Sequence, residues 1–154
     1  MPTANVTGFA KQRREDFTDM SNPMDPNRDF PFNVQQGGKC LQTSTAQIID
    51  QIFRNNLILS TITFHGGDNS ITYPWGNYAH KNPITGDNLA FKQIANLLKD
   101  FAGANDDLKI EEYNVGTMKD VVYDVNGGFE DWAYGASWDT VNVPTTTDGK
   151  KSLP

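Results

Sequence analysis

Hydrophobic positions recur along this chain with two different periods. Over residues 43–54, Ala46, Ile48, Ile49, Ile52 and Phe53 fall on one face at helical spacing, which predicts a helix capped by Thr43 or Ser44. Residues 57–64 read Leu-Ile-Leu-Ser-Thr-Ile-Thr-Phe, an apolar, β-branched run that predicts a buried strand. A short strand is expected over 70–73 and another over 110–113. Between them, residues 88–101 carry Leu89, Ile94, Leu97, Leu98 and Phe101 at helical spacing, predicting a second amphipathic helix with these side chains inward. Residues 10–42 are loop-rich, punctuated by Asn22-Pro23, Asp25-Pro26 and Gly37-Gly38. The alternation of helix and strand predicts an α/β fold, a sheet with covering helices.

Composition narrows the partners. The chain has 154 residues, enough for one ordinary domain, and 37% of them are hydrophobic, so a packed core is expected. The formal charge of -6 argues against nucleic acid, whose phosphates call for a basic patch. Cys40 is the one cysteine, so no internal disulfide is possible. No apolar run reaches the roughly 18 residues that a membrane span needs. The opening Met1–Asn5 has no charged segment followed by an apolar run, so no signal peptide is expected.

Three features are candidates for chemistry. His65 directly follows the apolar run and precedes Gly66-Gly67. Ligand sites in α/β sheets lie at the carboxyl ends of strands, and a neutral imidazole there is a good zinc ligand. A hydrogen-bonded histidine at a strand end is the plainer alternative. In the loop Asp25-Pro26-Asn27-Arg28-Asp29-Phe30-Pro31, an Arg beside an Asn can grip a carboxylate, one through a two-pronged charged contact and the other through an amide donor. The alternative is a solvated turn. Finally, Tyr123 lies near the turn Asn126-Gly127-Gly128 among aromatics, where a mobile tyrosine can donate a hydrogen bond to a substrate. A turn with core aromatics would look the same.

Together and in this order, these elements resemble the zinc carboxypeptidases of the pancreatic A and B type. Pro2-Thr3-Ala4-Asn5-Val6-Thr7-Gly8-Phe9 is similar to that family's Pro-x-x-Asn-Pro-Asp-Gly-Phe/Tyr segment. Residues 25–31 resemble its Asp-Leu-Asn-Arg-Asn-Phe-Pro loop. Leu41-Gln42-Thr43 stands where the family has Pro-Glu-Thr opening a helix. Phe64-His65-Gly66-Gly67 followed by Tyr73-Pro74-Trp75-Gly76 is similar to its zinc-histidine strand and the sequel to it, without a gap. Tyr113 through Gly116-Thr117 and Tyr123 to Gly127-Gly128 and Tyr134 is similar as well. The likeness covers roughly residues 1–138.

The resemblance implies a partial zinc-carboxypeptidase fold, with a mixed central sheet flanked by helices, and removal of one C-terminal residue from a peptide or protein. It implies zinc as cofactor with His65 as a ligand, and Asn27 and Arg28 on the substrate's terminal carboxylate. Tyr123 would close over that carboxylate. Arg14, or its neighbour Arg13, would polarise the scissile carbonyl. Tyr73 and Gly76 would line the site. Glu130 falls where family members set side-chain preference, and an acid there would attract a C-terminal Lys or Arg. The expected partner is a peptide C-terminus and the expected state a monomer.

The sequence also departs from the family's pattern. The His-x-x-Glu motif that supplies two further zinc ligands has no counterpart, and His80 lies in a polar loop. The position of the general-base glutamate, counted without a gap, falls on Thr145, and no glutamate follows Glu130. Either an insertion after Trp138, the favoured reading, displaces that base beyond Pro154, or the base is lost. Cys40 sits near a family half-cystine without a partner. Both ends read as the interior of a longer domain, with residues 1–143 as a partial peptidase domain and 144–154 as a polar tail or the start of an insertion. Such a chain is expected to be inactive alone. The alternative is a degenerate pseudo-peptidase that keeps the carboxylate pocket without the chemistry. The sequon Asn5-Val6-Thr7 tilts the expected location towards extracellular or lysosomal.

Overall fold

Thr43 leaves the chain extended, and its hydroxyl accepts a hydrogen bond from the Ala46 N–H at 3.1 Å, so the helix begins where a hydroxyl cap is available. The computed structural model describes residues 4–32, 39–77, 83–102 and 111–136, and they fall into two compact units, Met1–Ser60 with Asn126–Pro154 and Thr61–Val125.

In the first unit, α1 (Val6–Lys11) is a short helix that the hydrophobic pattern does not predict. Asn5 caps it: its Oδ1 accepts from Gly8 N–H at 2.9 Å, while its Nδ2 donates to the Arg14 carbonyl at 2.9 Å. Both ends of the sequon asparagine are therefore engaged within the fold. A 3-10 turn (Pro26–Arg28) follows, and α2 (Ser44–Asn55) agrees with the predicted helix. Near the other end of the chain, α5 (Phe129–Asp131) runs into a π-helical turn (Trp132–Ala136). Phe30, Phe53, Phe129 and Trp132 form an aromatic cluster with ring centroids 4.9–6.1 Å apart, which joins the 3-10 turn, α2 and α5.

In the second unit, β1 (Ser70–Tyr73) pairs in parallel with β2 (Asn114–Thr117), with Ser70 opposite Asn114 and Tyr73 opposite Thr117. The crossover between them carries α3 (Asn88–Ala102), whose Phe91 stacks on Tyr73 at 5.9 Å. α4 (Met118–Val121) follows β2 directly. The α/β class holds, with a sheet of two strands among the described residues.

Three expectations need correction. Residues 57–64 form no strand, and none of them is buried: Leu59 is 89% and Phe64 95% accessible. β-propensity marks a segment that fits a pleated, half-buried surface, and none of the described residues pairs with this one. The strand expected at 110–113 lies at Asn114–Thr117, because Ser70–Tyr73 sets the register of its partner. In α3, Leu89, Ile94, Leu97, Leu98 and Phe101 are exposed, and Ala95 is the buried position. His80 and the tail from 144 lie outside the described residues.

Candidate carboxylate-binding site

Asp25 precedes Pro26, and this pair starts the 3-10 turn. The Asp25 Oδ1 accepts from Asn27 N–H at 2.9 Å, satisfying a donor that the turn leaves open, while the proline sits early in the turn where its missing N–H costs nothing. The other carboxylate oxygen faces two guanidinium groups. Arg14 Nε lies 3.1 Å from Asp25 Oδ2, and the Arg28 side-chain nitrogen lies 4.0 Å from the same atom. One acid thus holds two like charges close together, with Arg14 still half exposed. Arg13 turns elsewhere and pairs with Glu15 at 3.2 Å. That hydrogen bond lowers the Glu15 carboxyl below its ordinary range and raises the Arg13 guanidinium.

Asn27 is oriented by the turn near the other end of the chain. Its Oδ1 accepts from Phe129 N–H at 2.8 Å, which assigns the carbonyl end inward and makes Nδ2 the donor end. Gly127 allows this approach. It has φ +65°, and a Cβ there would sit 2.5 Å from the Arg28 carbonyl oxygen. Its own carbonyl accepts from Phe30 N–H at 3.1 Å and its N–H donates to Phe32 O at 3.0 Å. Glu130 follows that turn in α5, its carboxylate folded back over Gly128. Arg14, Asn27, Arg28 and Glu130 are therefore carried by one compact unit, together with Asp25.

The remaining predicted residues belong to the second unit. Tyr73 ends β1 and is buried against Phe91; Gly76 is buried, and its carbonyl accepts from Val125 N–H at 2.7 Å. Tyr123 follows α4, 46% exposed, with its N–H on the Met118 carbonyl at 3.3 Å. His65 ends the extended apolar segment and is exposed.

The described residues do not by themselves fit a resident zinc. A catalytic zinc takes three protein ligands and keeps one open position, whereas no group of three or more His, Cys, Asp or Glu side chains able to hold a metal occurs among them. Cys40 offers no reactive thiolate either, since burial first and the Asp29 charge second push its thiol up.

Sequence reasoning missed three carboxylates that shape this region, those of Asp16, Asp25 and Asp29. Asp25 was legible as an acid before Pro26. Asp16 and Asp29 were not, although the hydroxyl-rich Thr43-Ser44-Thr45 invites an acceptor. Asp29, which stands where the family motif has Asn, is fully buried.

Comparison with known proteins follows the same direction. The sequence profile of the zinc carboxypeptidase family matches residues 1–152. No curated protein matches it. Among solved structures, the fold is similar to the crystal structure of carboxypeptidase A from Helicoverpa armigera, with a TM-score of 0.64 at 20% sequence identity. That match covers 86% of this chain and 38% of the insect protein, so the chain spans well under half the length of the structure it resembles.

Proposed function

Since the chain belongs to the zinc carboxypeptidase family, we propose that it carries the part of a C-terminal exopeptidase that grips the substrate's free carboxylate. The observation that carries this reading is the cluster in which Asp25 draws Arg14 and Arg28 together, with Asn27 in the same 3-10 turn as Arg28. The Arg28 guanidinium and the Asn27 amide N–H2 offer donors to a carboxylate, and the half-exposed Arg14 needs little rearrangement to meet the neighbouring scissile carbonyl. Recognition of a free carboxylate makes a peptidase act at chain ends. Arg14 is favoured over Arg13 for the carbonyl-polarising role, because Arg13 is turned to Glu15.

Within this reading, Tyr123 supplies a phenol that closes over the bound carboxylate, with Tyr73 and Gly76 lining the site. Glu130 selects a C-terminal Lys or Arg by charge pairing. His65 contributes one imidazole to a zinc whose other ligands this chain's described residues do not supply, so no hydrolytic step is assigned to the chain itself.

Calorimetry on the full chain tests the carboxylate reading. N-acetyl-Gly-Arg with a free carboxylate is expected to bind more tightly than its C-terminal amide, and Arg28→Met to abolish the difference. Equal affinities for acid and amide in the unmodified chain would remove the assignment. N-acetyl-Gly-Phe binding more tightly than N-acetyl-Gly-Arg would remove the role of Glu130 alone.

A further inference from the structure

Arg14 stands on irregular backbone and Arg28 ends a single 3-10 turn, so neither has a ladder or a long helix of its own to hold it in place. Each has a buried carboxylate within two residues. Asp29, next to Arg28, is 0% exposed. Its Oδ1 accepts from Gln42 N–H at 3.0 Å, and its Oδ2 accepts from the Thr43 N–H at 2.7 Å and hydroxyl at 2.8 Å. Asp16, two residues after Arg14, is 3% exposed. Its Oδ2 accepts from Thr45 N–H at 3.2 Å, from the Thr45 hydroxyl at 2.8 Å and from the Ser44 hydroxyl at 3.1 Å. Its Oδ1 accepts from Thr18 N–H at 2.8 Å and from the Thr7 hydroxyl at 3.0 Å. The Asp16 backbone also exchanges two hydrogen bonds with Met24, the residue before Asp25.

Both loops are thus fastened to one short stretch, residues 42–45, where α2 begins. We propose that Asp16 and Asp29 are positioning residues: their buried carboxylates moor the Arg14 and Arg28 loops to the start of α2, and so fix the Arg14–Asp25–Arg28 cluster in a shape ready for a carboxylate. This rests on the carboxylate-binding reading above. The physical logic is preorganisation. A long side chain held by a rigid mount loses less freedom on binding than one on a floppy loop. The first turn of a helix suits two acids, because its N–H groups point outward and its dipole favours negative charge. A carboxylate with a merely stabilising role would leave the guanidinium geometry unchanged when replaced by an amide of the same size.

The test uses the full ¹⁵N-labelled chain with Asp16→Asn and Asp29→Asn. Each amide keeps the shape but turns an N–H2 group towards donors that the carboxylate had satisfied. The arginine Nε–Hε resonances report the cluster directly, and titration with N-acetyl-Gly-Arg and its C-terminal amide reports binding. Asp16→Asn is expected to shift the Arg14 resonance and Asp29→Asn that of Arg28. Each is expected to weaken binding of the free acid by about tenfold, while backbone amides beyond the first turn of α2 keep their wild-type positions. Thr45→Val and Thr43→Val remove one hydroxyl donor from each carboxylate. They are expected to act in the same direction more weakly, and they decide the matter if an Asn variant does not fold. Arginine resonances unmoved in folded variants, with acid affinity as in the wild type, would overturn the proposal. A wild-type chain that fails to tell acid from amide counts against the carboxylate reading only, because the arginine resonances still decide whether Asp16 and Asp29 set the cluster.

Discussion

The loop at residues 25–32 and the segment at 57–65 invert the usual relation between composition and order. The loop is polar, proline-interrupted and nearly devoid of repeating structure. Yet its carbonyls, amides and side chains are tied to α2 and to the Gly127 turn, and Asp29 and Phe30 within it are buried. The 57–65 segment is apolar and β-branched, the kind of sequence that fills the middle of a sheet, yet it forms neither strand nor helix and leaves most of its large side chains in solvent. Local propensity lowers the cost of a conformation, but a strand is stabilised by its neighbours' hydrogen bonds and packing. A loop can dispense with neighbours in a ladder when its own buried carboxylate accepts from the donors of another element. That contrast explains why the cluster of charged groups, rather than the apolar stretch leading to His65, is the better formed part of the candidate site.

The strongest way to break this comparison is to remove a mooring acid. Asp16→Ala leaves the buried donors of Thr45, and with them the more accessible donors of Thr7, Thr18 and Ser44, without their acceptor, and is expected to cost about 3 kcal/mol in urea unfolding. The same carboxylate gives the effect an acid dependence. Burial pushes the Asp16 carboxyl up, but hydrogen bonds donated by Thr18 and Thr45 outweigh it and hold it well below the ordinary carboxylate range. A folded-state value below the unfolded one stabilises the fold above the unfolded value, near pH ~4, and that contribution is lost as pH falls further. Unfolding midpoints at neutral and acid pH should therefore differ more in the wild type than in Asp16→Asn. A smaller loss is expected for Gly127→Ala, about 2 kcal/mol, because the new Cβ would meet both a left-handed backbone and the Arg28 carbonyl. At the other end of the scale, Leu59→Asn is expected to change stability by no more than about 0.5 kcal/mol, as for any solvated side chain. A loss comparable to that of Asp16→Ala would mean that the 57–65 segment is packed after all.

How much of this was legible in the sequence follows from where the forces act. The start of α2 was readable because a hydroxyl cap and an apolar face are both encoded within a dozen residues. The strand at 70–73 was readable for the same local reason. The 57–64 strand was misread because its stability depends on partners that no local pattern contains. Asn27, Arg28 and Tyr123 are legible from residue type and loop context, and a resemblance in order and spacing adds their roles, but neither carries the shape of the cluster. The roles of Asp16 and Asp29 were invisible, since a buried acid in a loop looks in sequence like a solvated one until its donors, here up to 29 positions away, are known.

Amide hydrogen exchange on the full chain tests the central contrast most directly. Amides of Phe30, Gln42, Thr43 and Thr45, each bonded within the moored region, are expected to exchange at least about a thousandfold more slowly than those of Leu59, Ile62 and Phe64 after correction for intrinsic rates. Equal protection in the two regions, or slower exchange in the apolar segment, would contradict the account.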